Sequence, residues 1–186
     1  MKKKLVFVGN KPPMRETLAN EIDSFDYVMR INRMNYVGHT GNRIDGLCLE
    51  ANDAFKYEFK GGENKKSIKN AGQILMRPFW HSKFSNWDEY LTEEQYKNIE
   101  LIEDRFAINE TGFERLTTSI LLLGYLLNSH WNDEYDIYIT CLDVENRALL
   151  IDNFPIWNWH KGSGLYEQRF LMDKLKNKQI FRLEDE

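Results

Sequence analysis

Cysteine, proline and histidine are all scarce in this chain: two, four and four among 186 residues. Cys48 and Cys141 lie in apolar, strand-like stretches without metal-ligand spacing, which excludes a disulfide framework and predicts two buried thiols in a reducing compartment. No run approaches the roughly 18 apolar residues of a membrane-spanning helix, and TSILLLGYLL is interrupted enough to suit a helix of ordinary length. The opening MKKKLVFVGN has lysines before an apolar run too short for a secretory signal, so it is expected to be a first strand. Basic residues are not in excess. The net charge of -4 removes nucleic acid as the main partner, and the acidic ending FRLEDE lacks the basic cluster that holds proteins on anionic membranes. Missing too are the GxGxxG and GxxxxGK[ST] phosphate fingerprints, an interior Asp-x-Asp and any His/Cys cluster, so NAD, ATP and metal chemistry lose their sequence support. A cytoplasmic, single-domain chain long enough to bury a real core is expected.

What is present is a series of short β-branched and apolar runs punctuated by turn residues. Lys4 to Val8, Asp26 to Ile31, Gly46 to Glu50 and Gln73 to Met76 predict four strands, and Asp136 to Leu142 and Gln179 to Leu183 predict two more. Helical patterns cover Arg15 to Ile22, Thr92 to Asp104, Thr117 to His130 and Tyr166 to Lys176. Lys56 to Asn70 is polar, with Gly61-Gly62 and lysines 65, 66 and 69 forming a solvated face, and predicts a loop or frayed helix. Strands separated by helical or looped crossovers give an α/β fold with a mostly parallel sheet. The aromatic stretch PFWHSKFSNW from Pro78 sits in an insertion of about 55–109 that suits a lid or acceptor-binding wall. His81 within it belongs first to an aromatic core patch, and His39 and His130 are expected on the surface.

Gly9-Asn10 ends the first strand, where open α/β sheets bind ligands because glycine lets backbone approach a phosphate. Behind it come Ile22-Asp23, Asp26-Tyr27-Val28, Arg30-Ile31-Asn32 and Gly41-Asn42-Arg43, and Asn52 stands after the third strand. Thr117-Thr118-Ser119 opens the long apolar helix, where hydroxyls and free amides serve either plain capping or an anion. Late in the chain, His160 precedes a Gly-x-Gly loop, Glu167, a helix and the strand-like IFRL. An imidazole that titrates near neutrality is a natural general base for a hydroxyl. Asp143, after the Asp136 to Leu142 strand, either shapes the pocket or caps a turn.

These elements, in this order, resemble the motifs of sialyltransferases, in particular glycosyltransferase family 29 and the bacterial lipo-oligosaccharide enzymes of family 42. The resemblance covers Leu5 to Leu183, with about Phe55 to Asn109 matched only in position. It implies a single Rossmann-like nucleotide-binding domain and inverting, metal-independent transfer of an acidic sugar, sialic acid first, from a CMP donor to a glycan hydroxyl in bacterial surface glycan synthesis. The site residues it implies are His160 as base, with Gly9, Asn10, Arg30, Asn32, Asn52, Thr117, Thr118 and Ser119 at the donor. No cofactor beyond the CMP-sugar is implied. The partners are that donor and a glycan acceptor, with transient contact to membrane glycolipid. Ser119 and Cys141 stand where the family usually has glycine, and six residues separate His160 from Glu167. The chain is short for the group, which points to a reduced acceptor region or to a homo-oligomer that completes the site. A CMP-Kdo-dependent transferase and a non-catalytic nucleotide-binding relative share most of these motifs and stay open.

Overall fold

The computed structural model describes residues 1–16, 18–34, 36–52, 68–153 and 159–183. The chain opens with β1 (Lys3–Val8), whose last four side chains are buried, and continues through α1 (Leu18–Asp23), β2 (Tyr27–Ile31) and β3 (Gly46–Leu49) to β4 (Gln73–Met76). Two short helices, α2 (Pro78–His81) and α3 (Glu93–Lys97), precede β5 (Glu100–Leu101). Then α4 (Arg105–Thr111), α5 (Thr118–Leu127) and α6 (His130–Glu134) lead to β6 (Tyr135–Thr140). The end is built from α7 (Arg147–Asn153), α8 (Gly164–Lys176) and β7 (Phe181–Arg182).

All seven strands are parallel, in the order β5-β4-β3-β2-β1-β6-β7. The chain steps outward from β1 to β5, and α4 and α5 then carry it back to the far side of β1. That reversal makes the gap between β1 and β6 the topological switch point, where open parallel sheets bind ligands at the carboxyl ends of their strands. A parallel sheet must be covered on both faces, and the strand period of two divides its side chains accordingly. Leu5, Phe7, Met29, Ile31, Ile137 and Ile139 pack under α5 on one face, while Val6, Val8, Val28 and Tyr138 meet Leu18, Ile22 and Phe25 on the other. Every residue of α5 is buried, and at Gly124 an added Cβ would come within 2.6 Å of Ala107 Cβ, so α4 and α5 touch closely there. A satellite core under α2 and α3 joins Leu47, Leu49, Ile74 and Met76 to Phe84, Tyr90 and Leu91.

The sheet is wholly parallel, and the fold class expected from the sequence is the one found. The helix expected over Thr92 to Asp104 is not. Its Thr92 capping box with Gln95 starts α3, but the helix stops at Lys97 and the chain extends so that Glu100 and Leu101 pair with Leu75 and Met76. The Glu100 carboxylate explains the switch: it accepts Tyr125 Oη and Trp131 Nε1, each at 2.8 Å, and Gln73 Nε2 at 2.5 Å, which a continued helix would point elsewhere. The helix expected from Arg15 begins at Leu18, and α2, α4, α6 and α7 have no counterpart among the expected helices. Both cysteines are free and buried. Lys65 and Lys66 lie outside the described residues, whereas Lys69 is exposed. Among the described residues, no helix is long and apolar enough to cross a membrane.

Candidate active site

Parallel strands place Gly9-Asn10, Asn32, Glu50 to Asn52, Arg77, Asp104 and Cys141 along one edge, and α5, running back antiparallel to the sheet, brings its N-terminus to that same edge. At the switch point Gly9 N donates to Thr140 O and Lys11 N to Cys141 O, both at 2.9 Å. A side chain at position 9 would overlap the Cys141 carbonyl, so glycine is required here by the close approach of two strand ends. Cys141 takes a left-handed φ of 54°, unusual for a residue with a Cβ. A Lys11–Asp143 ion pair of 3.4 Å bridges the same gap, and Asp143 Oδ1 caps the following turn by accepting Asn146 N at 3.1 Å. Among the described residues Asn10 reaches Ile31 O, at 3.5 Å through Nδ2, while its buried Oδ1 has no hydrogen-bond partner there.

The motif residues of the β2–β3 connection turn mostly inward. Arg30 is 2% exposed and donates to Arg43 O, Thr40 Oγ1, Thr40 O and Gly41 O, clamping the loop from below. Burial pushes its guanidinium down to about 10, against the pull of the Asp23 charge. Asp23 accepts the Asn42 and Arg43 amides, Arg43 donates to Asp23 O and Phe25 O and pairs with Asp45, and Asp45 accepts Val28 N. Gly41, at φ 79°, lies against the Asp23 carboxylate where a Cβ has no room. Arg30 is therefore a brace in this structure. Asn32, also left-handed at φ 35°, accepts Glu50 N at 2.8 Å through Oδ1 and ties β2 to β3. Half-buried Asn52 donates its amide to Glu50 O at 2.8 Å.

From Asn32 the polar edge continues. Glu50 accepts Arg77 Nη1 at 3.1 Å, and Arg77 binds both oxygens of Asp104 through Nε at 3.0 and 2.8 Å. Burial lowers the Arg77 guanidinium, but its bonds to Asp104 and Glu50 outweigh this and hold it above its ordinary value. After Arg77, the aromatic stretch forms a half-buried stack of Tyr96 with Trp87, at 4.2 Å, and with His81, at 5.5 Å, and Trp87 and Tyr96 pack against the satellite core. His39 and His130 are exposed.

The start of α5 carries the densest polar cluster. Thr117, Thr118 and Ser119 are 3%, 8% and 7% exposed, and the Thr117 hydroxyl does not cap the helix. It donates instead to Glu167 Oε2 at 2.8 Å and accepts Arg147 Nη2 at 2.6 Å, while Thr117 N donates to Glu167 Oε1 at 2.7 Å. Arg147 also reaches Glu167 Oε2 through Nε at 2.9 Å and Ser119 Oγ at 3.5 Å, and Ser163 Oγ donates to Glu167 Oε1 at 3.0 Å. No acceptor among the described residues takes the amides of Thr118 or Ser119. His160 lies beside this cluster, its Nδ1 3.0 Å from Arg115 O. A carbonyl can only accept, so Nδ1 carries the proton and, in the neutral ring, Nε2 carries the lone pair.

Gly9, Asn10, Asn32 and Asn52 on strand ends, and Thr117 to Ser119 and His160 at the α5 start, thus share the carboxyl edge. Sequence reasoning missed Arg115, Arg147 and Ser163 and left Glu167 without a role. Ser163 and Glu167 carried a faint signal in their helix-start spacing, but Arg147, thirty residues from Thr117, carried none. An open cleft of about 520 Å³, lined by Lys69, Gln73, Thr92, Gln95 and Asn98, lies at the amino end of β4 and contains none of the expected site residues. Among the described residues, no three His, Cys, Asp or Glu side chains are grouped so as to hold a metal ion.

No family model matches the chain, and no curated protein matches it. Among solved structures it is similar to a mammalian sialyltransferase in complex with Gal-β-1-3GalNAc-ortho-nitrophenol, with a TM-score of 0.62 and 15% identity. The match covers 98% of this chain and 69% of that one. At that identity the likeness is one of fold: a sialyltransferase-like, all-parallel α/β domain.

Proposed function

We propose that this chain is a glycosyltransferase that moves an acidic sugar, sialic acid first, from a CMP donor to a glycan hydroxyl with inversion and without a metal, His160 being the general base. The observation that carries this reading is the anchoring of His160 Nδ1 on Arg115 O at the carboxyl edge, which leaves the basic lone pair on Nε2. In the reaction, Nε2 takes the proton of the acceptor hydroxyl as its oxygen bonds the anomeric carbon, and the bond from that carbon to the phosphate breaks with its electron pair leaving on CMP. The amides of Thr118 and Ser119, which no acceptor among the described residues takes, lie at the positive end of α5 and suit the departing phosphate. The orphaned Asn10 Oδ1 at the switch point suits a hydroxyl or amino donor of the nucleotide. Gly9, Arg30, Asn32 and Asn52 frame the donor pocket from behind. Surface glycan synthesis in the cytoplasm is the role this reading fits.

The test is transfer from CMP-sialic acid to a galactose-terminated acceptor, with CMP-Kdo as the competing donor and calorimetry for CMP. His160→Ala is expected to lower transfer by roughly a hundredfold to ten-thousandfold, the usual worth of a positioned base, while CMP affinity stays nearly intact. CMP affinity is expected to be unchanged by EDTA. Wild-type turnover in His160→Ala, or CMP binding that EDTA abolishes and manganese restores, overturns the reading. CMP binding with no turnover of either donor marks a non-catalytic relative.

A further inference from the structure

Glu167 is fully buried in α8, and its two oxygens hold two chain segments that meet at the His160 ring. One segment is 115–117: Thr117 gives Glu167 its amide and its hydroxyl, and Arg115, two residues earlier, supplies the carbonyl that receives His160 Nδ1. The other is 160–163: Ser163 gives Oε1 its hydroxyl, and Ser163 N closes a turn onto His160 O at 2.9 Å. Arg147, 5% exposed, neutralises the carboxylate through Nε and Nη2, so a charge can be kept in this dry position. α7, which carries Arg147, is itself fixed on α8, because Gly164 admits the Ala148 backbone where a Cβ would stand only 2.7 Å from Ala148 Cα.

We propose that Glu167 is a positioning residue for His160: one carboxylate pins the imidazole's own loop and the carbonyl that selects its tautomer, with Arg147 as counter-ion. The inference rests on the reading of His160 as base, but the geometry it asserts can be tested without activity. A carboxylate joining both arms keeps the Arg115 carbonyl and the His160 ring at a fixed separation, so the Nδ1–H bond is made before any substrate arrives. Replacing it by the isosteric amide leaves one accepting oxygen and turns an NH2 group toward Arg147 or one of the arms.

The experiment is a long-range proton–nitrogen correlation of the histidine rings in the full-length, ¹⁵N-labelled protein, for wild type, Glu167→Gln and Ser163→Ala, with donor kinetics alongside. Wild type is expected to show His160 as one neutral tautomer with the proton on Nδ1. In Glu167→Gln the ring pattern is expected to move toward a mixture, with kcat down by roughly tenfold to a hundredfold, a part of what a positioned base contributes, and KM for the donor within about threefold. Ser163→Ala, which cuts only the arm bearing His160, is expected to change in the same direction by less. A purely structural Glu167 would lower the melting temperature and leave the ring of the folded molecules on the wild-type tautomer. That result, in either folded variant, overturns the proposal, and Ser163→Ala decides alone if Glu167→Gln does not fold. A wild type without transferase activity defeats the functional reading, whereas the ring spectra still decide the role of Glu167.

Discussion

Two asparagines of similar exposure behave differently at the same sheet edge, because only one has spent its side chain. Asn32 Oδ1 holds the Glu50 amide and its backbone sits at φ 35°, a conformation asparagine tolerates better than most residues. Asn10 has one long bond and a buried, unpartnered oxygen. Asn32→Ala is therefore expected to lower stability by about 1–2 kcal/mol, read by urea unfolding. Asn10→Ala is expected to change stability by no more than about 0.5 kcal/mol and to weaken CMP by roughly tenfold to a hundredfold, the worth of a hydrogen bond to a polar ligand group that is otherwise left unmade. Equal losses of stability in the two variants contradict this division. Residue types at these positions were legible in the sequence, since asparagine and glycine after short strands announce a ligand edge. The direction of each side chain was not, because it depends on partners such as Thr40, Glu50 and Arg147 that are distant in sequence. Arg30 shows this most clearly: a cation beside a nucleotide motif looks like a phosphate ligand until its donors are found on four loop oxygens.

Elements with a strong period were the readable ones. β1, β6 and α5 announce themselves through β-branched runs and a mostly apolar helix, whereas β5 is two residues long and exists only because β4 lies beside it and Glu100 has three partners behind it. Helix α7 has only two buried residues, Arg147 and Ile151, and so little amphipathic pattern to read. The end of α8 offers a direct test of local geometry. Gln179 N bonds Lys174 O at 2.9 Å and Lys178 N bonds Leu175 O at 3.0 Å, the paired bonds of a Schellman turn, with Lys178 at φ 54° in the place glycine prefers. Lys178 is exposed, so its side chain has little packing to lose. Lys178→Gly is expected to stabilise by about 0.5–1 kcal/mol by removing the left-handed penalty. Thermal unfolding should show a rise of roughly 1–4 °C, and a fall would show that the lysine makes contacts outweighing the strain.

At the scale of the molecule, strand count and parallel direction followed from the alternation of runs and crossovers, but the return of the chain to the far side of β1 could not be read from any local pattern. It follows from which faces remain to be covered once β5 is laid down, a property of the assembled sheet. Both thiols are locked into that sheet: Cys48 is 0% and Cys141 2% exposed, and burial, with the nearby Glu50 charge, holds the Cys48 thiol well above its ordinary value. Neither is expected to react with a thiol reagent at pH 8 except through global unfolding, so two equivalents should appear in denaturant and none within minutes in buffer. Rapid labelling of one thiol in buffer would reveal a local opening. The central place of β1 also has a consequence in time. Lys3 pairs with Tyr135, so β1 keeps one bare edge until β6 has left the ribosome. At roughly 5–20 residues per second, that edge waits on the order of ten seconds during synthesis, with the apolar α5 arriving just ahead of its partner. For that interval the nascent chain is an unfinished five-stranded sheet whose open side matches any stray extended segment, and a chaperone that shields strand edges should raise its yield more than one that catalyses proline isomerisation.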